Sequence, residues 1–192
     1  MRTAAIFLII MIILLPIHIG AVSEKTFEEY AVKAALLERI SNYIEWPQEK
    51  DPDDQSKPFI IKVIGVSPFV ITRNGRNTDE DWLTILYKTQ KIKNKKVEIH
   101  YISKIKDIPG CHILFVSRSM KNKLPEILEV ARKYPILTVS DTEGFAKKGI
   151  DINLYIDHDS PKYEINETAL KASALTVRYQ LFEWGKRINP IT

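Results

Sequence analysis

The spacing of hydrophobic positions changes several times along the chain, and each spacing predicts a different element. Apolar residues recur at helical intervals from Thr26 to Ile44, which predicts a helix that ends before Pro47. Three later runs are almost continuously apolar, as in strands buried on both faces: residues 59–66, 112–117 and 135–141. A strand at 96–102 and helices at 79–88 and 123–134 lie between them. This alternation predicts an α/β fold, a mostly parallel sheet with helices on both faces.

The pattern becomes strictly alternating after Gly149. Residues 150–157 place isoleucine and leucine on one side and polar side chains on the other, and residues 161–166 supply a partner strand. We therefore expect an antiparallel hairpin at the edge of the sheet. Asn166 then caps a final helix that runs to about residue 188. Its buried stripe is predicted to comprise Leu170, Ala174, Val177, Leu181, Trp184 and Ile188.

The first 23 residues have the layout of a secretory signal peptide. Arg2 supplies a positive charge, an apolar run extends from Ala4 to Leu15, and small residues follow Pro16. The alternative is an uncleaved membrane anchor, but the uninterrupted run is shorter than the roughly 20 residues that a spanning helix needs. The sequence thus predicts an exported, periplasmic protein with a signal peptide at 1–23 and one domain at 24–192.

The composition, net charge and cysteine count narrow the classes of protein to which this chain can belong. The chain has 192 residues, a net charge of +4 and 45% hydrophobic residues, so it can form a core and is only mildly basic. Its lysines are scattered apart from a patch at residues 88–96, and no role in nucleic-acid binding is expected. Cys111 is the single cysteine, which excludes an internal disulfide and predicts a small buried residue at a strand start.

Two glycine motifs deserve comparison with nucleotide-binding loops. Gly144 and Gly149 have the spacing of a phosphate-binding loop, but Ile150 and Asp151 stand where lysine and a hydroxyl residue are required. The first buried strand is followed by Gly65 alone, without a dinucleotide fingerprint. Open parallel sheets bind ligands beyond the carboxyl ends of their strands. A ligand crevice is therefore a hypothesis for Gly65, Ser67, Ser140 and Asp141.

No catalytic or metal-binding pattern emerges from the remaining residues. His100, His112 and His158 lack metal-ligand spacing, and Cys111 and His112 are adjacent, so a strand directs them to opposite faces. Ser140 and Asp141 lack the glycine-flanked turn of a nucleophilic serine. We expect no enzyme activity, no metal and no cofactor.

Five segments in register resemble the YfiR-like periplasmic proteins. They are "EYAVKAALLERISNYIEWP", "FIIKVIG", "GCHILFVS", "ILTVSDTEGFAKKGIDINLY" and "YEINETALKASALTVRYQLFEW". The resemblance implies a Rossmann-like three-layer sandwich without nucleotide chemistry. It also implies a periplasmic repressor that holds an inner-membrane diguanylate cyclase inactive, lowering cyclic di-GMP and biofilm formation. An outer-membrane lipoprotein can relieve that repression by sequestering the repressor.

Such a regulator needs an exposed apolar patch rather than a polar cleft. Two sets of residues are hypotheses for the partner-binding surface: Tyr43 and Trp46 after the first helix, and Leu175, Tyr179 and Phe182 on the last one. The oligomeric state stays open, with a homodimer as one alternative. A sensor domain that binds a small ligand without catalysis is the alternative function.

Overall fold

The computed structural model describes residues 24–47, 56–73 and 76–188, with side chains from residue 29 onward. The predicted signal peptide lies outside these ranges. Within them, no helix combines the length and the apolar character needed to cross a membrane.

The α-helices in these ranges are α1 (Glu24–Ser41), α2 (Trp82–Tyr87), α3 (Leu124–Ala131), α4 (Glu167–Ala172) and α5 (Gln180–Trp184). The strands are β1 (Ile44–Glu45), β2 (Phe59–Ile64), β3 (Val70–Arg73), β4 (Arg76–Asp81), β5 (Lys91–Ile92), β6 (Lys95–Ile102), β7 (Ile113–Val116), β8 (Leu137–Ser140), β9 (Ile152–Asp157), β10 (Ser160–Asn166), β11 (Thr176–Val177) and β12 (Lys186–Ile188). Short 3-10 turns cover Ile105–Asp107, Arg118–Lys123 and Ala146–Lys148.

A central sheet has the strand order β5-β6-β2-β7-β8-β9-β10-β12. The neighbours from β6 to β9 are parallel to one another, and β10 is antiparallel to β9 and parallel to β12. The prediction of an α/β fold with a mostly parallel sheet is therefore confirmed. The four strands from the apolar and alternating runs, β2, β7, β8 and β9, occupy its middle.

Hydrophobic clusters on both faces of the sheet make the fold a three-layer sandwich. On one face, α1 contributes Leu37 and Ile40 to a cluster with Phe115 and other strand residues. On the opposite face, Ile127 and Leu128 of α3 belong to a second cluster with strand residues such as Leu114. Burial of both faces explains why the middle strands read as continuous apolar runs.

The predicted hairpin forms between β9 and β10. Its two-residue turn consists of His158 and Asp159, which both have positive φ, the conformation that matches the twist of a tight hairpin. It lies toward one end of the sheet, but the three residues of β12 pair with β10 and take the edge position. An edge of three residues leaves few unpaired backbone groups.

The prediction of one continuous final helix is wrong. The helix that Asn166 caps ends at Ala172; Ser173 then bonds back to the carbonyl of Leu170, and Ala174 has a φ of 57°, a left-handed conformation that stops a helix. The chain next forms β11, which pairs with β1 after the first helix. This pairing joins two segments far apart in sequence.

Candidate functional site

The central sheet reverses its strand order between β2 and β7. From β2 the chain moves outward to β6, and it then crosses back to β7 and continues to β8 and β9. The loops after β2 and β7 consequently diverge and leave a space beyond the carboxyl ends of both strands. In open α/β sheets, such a reversal is the usual position of a ligand crevice.

A cleft of about 1000 Å³ lies at this position. Its walls include Ser67 and Pro68 after β2, Ser117 after β7, and Asp141 and Thr142 after β8. Of the four crevice residues proposed from the sequence, Ser67 and Asp141 line the cleft. The structure places the other two, Gly65 and Ser140, beneath it.

Gly65 brings the end of β2 against the turn that follows β7. It has a φ of 93°, and a Cβ atom at this position would lie 2.4 Å from the Oγ atoms of both Ser117 and Ser119. The two serine hydroxyls are 2.6 Å apart, and that of Ser119 accepts the Val66 N–H at 2.9 Å. Glycine is therefore needed here for close packing, not for ligand contact.

Asp141 is held by two side chains of α1. Its Oδ2 atom accepts hydrogen bonds from Tyr30 at 2.9 Å and from the Lys33 ammonium at 3.0 Å. Lys33 is 4% exposed and also pairs with Glu29. Burial, followed by the Asp141 charge, raises the pKa of Tyr30 far above its usual value, so the phenol remains a donor. The two hydrogen bonds to the Asp141 carboxylate thus hold α1 against the end of β8.

Ser140 also has a structural role. Its side chain is buried, its hydroxyl donates to the Val116 carbonyl at 2.7 Å, and its oxygen accepts the Thr142 N–H at 3.2 Å. Ser67 is similar, because its hydroxyl donates to the Asp81 carboxylate that caps α2. The serine and aspartate residues that suggested chemistry therefore hold the loops in place.

Three basic residues, Arg118, Lys121 and Lys148, also line the cleft, and none of them forms an ion pair with a residue that the structure describes. We call these three residues the basic wall of the cleft. Glu143 lines the cleft as well, and Lys33 is shared between Asp141 and Glu29, so the lining carries both signs of charge. The basic wall is the part that can attract an anionic group.

Burial separates the predicted partner-binding residues into two groups. Trp46 is 3% exposed and donates its ring N–H to the His112 carbonyl, while Leu175 is 9% exposed and belongs to the core. These two residues are therefore unavailable as surface anchors. Tyr43 and Phe182 are half-buried, and Tyr179 is 66% exposed.

The three remaining residues belong to two groups of side chains, one of which includes Trp184, a residue that the sequence predicts to be buried. Trp184 is 60% exposed, and its ring lies 4.6 Å from the Arg39 guanidinium. Trp184 and Tyr43 also line the same shallow pocket of about 60 Å³. The Arg187 guanidinium lies 5.0 Å from the Phe182 ring and 6.0 Å from the Tyr179 ring. Tyr43, Trp184 and Arg39 thus form one group, and Tyr179, Phe182 and Arg187 form a second, with α5 contributing to both. We call the two groups together the aromatic patch.

Among the described residues, we find neither a metal-binding group nor a reactive thiol. No group of three or more His, Cys, Asp or Glu residues among them could hold a metal ion. Cys111 is buried, and this burial raises the pKa of its thiol to about 12, so the reactive thiolate is suppressed. Its expected role as a small core residue agrees with this position.

Comparison with known protein families supplies the context for these surfaces. A profile of YfiR/HmsC-like proteins matches residues 30–186, which cover the sheet up to the first residue of β12 and all of the aromatic patch except Arg187. The chain belongs to the YfiR/HmsC-like family. The resemblance seen in the sequence motifs is thereby confirmed, and membership suggests a periplasmic regulator. A search of curated proteins finds no match.

Several solved structures are similar at low identity. CD0873 of Clostridium difficile, a substrate binding protein with adhesive properties, has 15% identity and a TM-score of 0.49 over 71% of this chain and 56% of its own. An ABC domain in complex with L-Trp from Streptococcus pneumonia has 9% identity and a TM-score of 0.48 over 83% and 60%. A conserved domain protein from Vibrio cholerae has 9% identity and a TM-score of 0.47 over 82% and 59%. The YfiR/HmsC-like chain spans less than two thirds of each of these structures.

Proposed function

We propose that this protein is an exported regulator that represses an inner-membrane signalling enzyme by direct contact through the aromatic patch. Export would use the signal peptide predicted at residues 1–23. The partner that family membership favours is the periplasmic domain of a diguanylate cyclase, and repression would lower cyclic di-GMP and biofilm formation. A lipoprotein of the outer membrane would relieve repression by competing for the regulator.

The observation that carries this proposal is the exposure of Trp184 and Tyr179 beside arginine side chains. Tryptophan, tyrosine and arginine are the residue types that supply most of the binding energy in protein interfaces. Large aromatic rings that stay 60% and 66% exposed leave apolar area uncovered in the monomer. Arg39 and Arg187 pack on these rings, which limits the side-chain entropy lost on docking.

A non-catalytic role is consistent with the cleft at the ends of the parallel strands. A general acid or base needs an available proton or lone pair facing a substrate. The Asp141 carboxylate instead accepts from both Tyr30 and Lys33, and Ser140 is buried within the loop. We therefore infer that the cleft performs no catalysis.

The regulatory proposal can be tested in cells that lack the chromosomal gene. We expect deletion to raise cyclic di-GMP, and expression of the wild-type protein to restore the lower level. The variant Trp184→Ala should fail to restore it although the protein accumulates normally in the periplasm, because the side chain is mostly outside the core. Unchanged cyclic di-GMP after deletion would exclude the regulatory role.

A second function is supported by the basic wall of the cleft, namely the binding of a small ligand as a sensor. Arg118, Lys121 and Lys148 face a volume of a size that holds drug-sized molecules. Thermal-shift screening of the purified protein against nucleotides and amino acids tests this function. A ligand that binds only the folded state raises the unfolding temperature. The absence of any shift across both sets would contradict it.

A further inference from the structure

A second concave surface lies between α3 and α4, and none of its lining residues belongs to the aromatic patch. It is a groove of about 690 Å³, and the turn at residues 147–149 also lines it. Leu124 and Ala169 are almost fully buried, while Pro125 and Ala172 are exposed at its sides. The groove therefore offers an apolar surface of the size that a small organic molecule can occupy.

Small side chains on α4 leave this groove open. Ala169 and Ala172 are three residues apart and thus lie on the same face of the helix. Asn166 at the start of the helix donates through its amide to the Ala146 carbonyl, and its oxygen accepts the Ala169 N–H. The α4 side of the groove therefore presents the methyl groups of Ala169 and Ala172, together with the side chain of Thr168.

The rim of the groove is basic. Lys121, Arg132, Lys147 and Lys148 line it, and no carboxylate does. Arg132 donates to the Gly149 carbonyl at 2.9 Å, which holds its guanidinium at the rim. The three lysines form no ion pair with any residue that the structure describes. Close placement of like charges without counter-charges favours the binding of an anion.

The adjacent helices carry three acidic residues, none of which lines the groove. Glu129 of α3 pairs with Lys133, and Glu167 of α4 pairs with Lys171 and Arg187. Glu126, in the first turn of α3, is exposed to solvent. Lys121 and Lys148 also line the cleft described above, where Asp141 and Glu143 are present, whereas the lining of the groove contains no carboxylate.

We propose that the groove binds a small organic anion with an apolar body, of the class of medium-chain or aromatic carboxylates. The carboxylate would lie against the lysines, and the apolar body would cover Leu124, Ala169 and Ala172. This inference does not depend on the proposed regulatory function. An acidic segment of a protein partner has related chemistry, and the experiment below separates the two.

Calorimetric titration of the protein purified from the periplasm tests the inference, with three probes kept below their micelle concentrations. We expect decanoate to bind saturably at one site. Decyltrimethylammonium has the same alkyl chain with the opposite charge, and acetate has the charge without the chain, so neither should bind measurably. Equal binding of decanoate and decyltrimethylammonium, or no saturable binding of decanoate, would overturn the proposal.

Two variants locate the site. Ala172→Trp fills the groove from an exposed helix position and should weaken decanoate binding at least tenfold. Lys147→Gln removes one rim charge and should weaken it about threefold. Lys133→Gln, on a surface lysine outside the groove, is the matched control and should bind as the wild type does. Wild-type decanoate affinity in both groove variants would overturn the proposal. Loss of protein-partner binding in these variants, without decanoate binding, would overturn it in favour of an acidic protein segment.

Discussion

At the scale of single residues, steric and electrostatic constraints determine the positions of the loops around the cleft. Gly65 permits contact between the end of β2 and the Ser117 and Ser119 hydroxyls, and Asp141 joins β8 to α1. Both residues stand out in the sequence because they follow apolar strands. Their positions near one cleft could be predicted, since parallel strands end at the same edge. Their partners could not, because Tyr30 and Lys33 are more than 100 residues from Asp141.

The substitution Gly65→Ala tests the close approach. We expect it to lower the free energy of unfolding by about 3 kcal/mol, since it adds a backbone penalty at positive φ and a clash with two hydroxyls. Gly144→Ala is the matched control: Gly144 has a φ of 79°, but no atom lies within 4 Å of the added Cβ. Its cost should be the backbone penalty alone, about 1 kcal/mol. Equal costs in urea denaturation would contradict the steric explanation.

A second prediction concerns Asp151, which is buried between β8 and β9. Its Oδ2 atom accepts hydrogen bonds from the Thr138 N–H at 2.8 Å and from the Thr138 hydroxyl at 2.7 Å. Burial raises the pKa of this carboxyl to about 6, although the Thr138 bonds oppose the shift. The folded protein therefore holds a proton that the unfolded chain releases near pH 4.

Because the folded-state pKa is raised, the Asp151 contribution to stability is present at low pH and is lost as the pH rises from about 4 through 6. The loss should be on the order of 3 kcal/mol. We expect Asp151→Asn to remove this decline, since the amide oxygen can still accept from Thr138. Denaturation measured at several pH values checks this expectation. Parallel pH profiles for the wild type and the variant would contradict the assignment.

At the scale of secondary-structure elements, residues 167–188 depart most from a sequence-based prediction. Positions 170, 174, 177, 181, 184 and 188 match a helical stripe, yet the chain forms α4, β11, α5 and β12 there. The pairing of β11 with β1 and of β12 with β10 stabilises these short, separate elements over one continuous helix. Helical periodicity carries no information about such pairings. The periodicity therefore predicts that Trp184 is buried, whereas the structure shows it exposed.

The middle of the sheet was predictable for the opposite reason. Strands buried on both faces contain little besides apolar residues, so β2, β7 and β8 are visible without knowledge of their neighbours. The β3–β4 hairpin was missed because β4 reads "RNTDED", a polar sequence with few of the residue types that favour strands.

The break after α4 can be tested with Ala174→Gly. Glycine relieves the left-handed conformation, which costs about 1 to 2 kcal/mol for other residues, but it raises the entropy of the unfolded chain by about 0.4 to 1 kcal/mol. We expect a net stabilisation of about 0.5 kcal/mol. A continuous helix would instead be destabilised by about 1 kcal/mol. Ala172→Gly, within α4, should show that loss and serves as the control. Destabilisation by both variants would contradict the conclusion that the helix ends before Ala174.

At the scale of the whole molecule, the fold presents three surfaces with different chemistry. The cleft at the strand ends is polar with one basic wall, and the groove between α3 and α4 is apolar with a basic rim. The aromatic patch combines residues near the end of α1 with residues of the last elements of the described chain. The first could be located from strand ends in the sequence. The other two depend on the packing of segments distant in sequence, and only the structure assembles them.

The central claim is that the aromatic patch is the docking surface for a membrane signalling enzyme. The most direct measurement is the dissociation constant between this protein and the purified periplasmic domain of the membrane diguanylate cyclase that we propose as its partner. We expect Trp184→Ala to weaken binding at least 30-fold, as for an interface hot spot worth about 2 kcal/mol. Tyr134→Ala, an exposed aromatic outside the patch, should leave the constant within about twofold. Equal affinities for the wild type and Trp184→Ala would contradict the account.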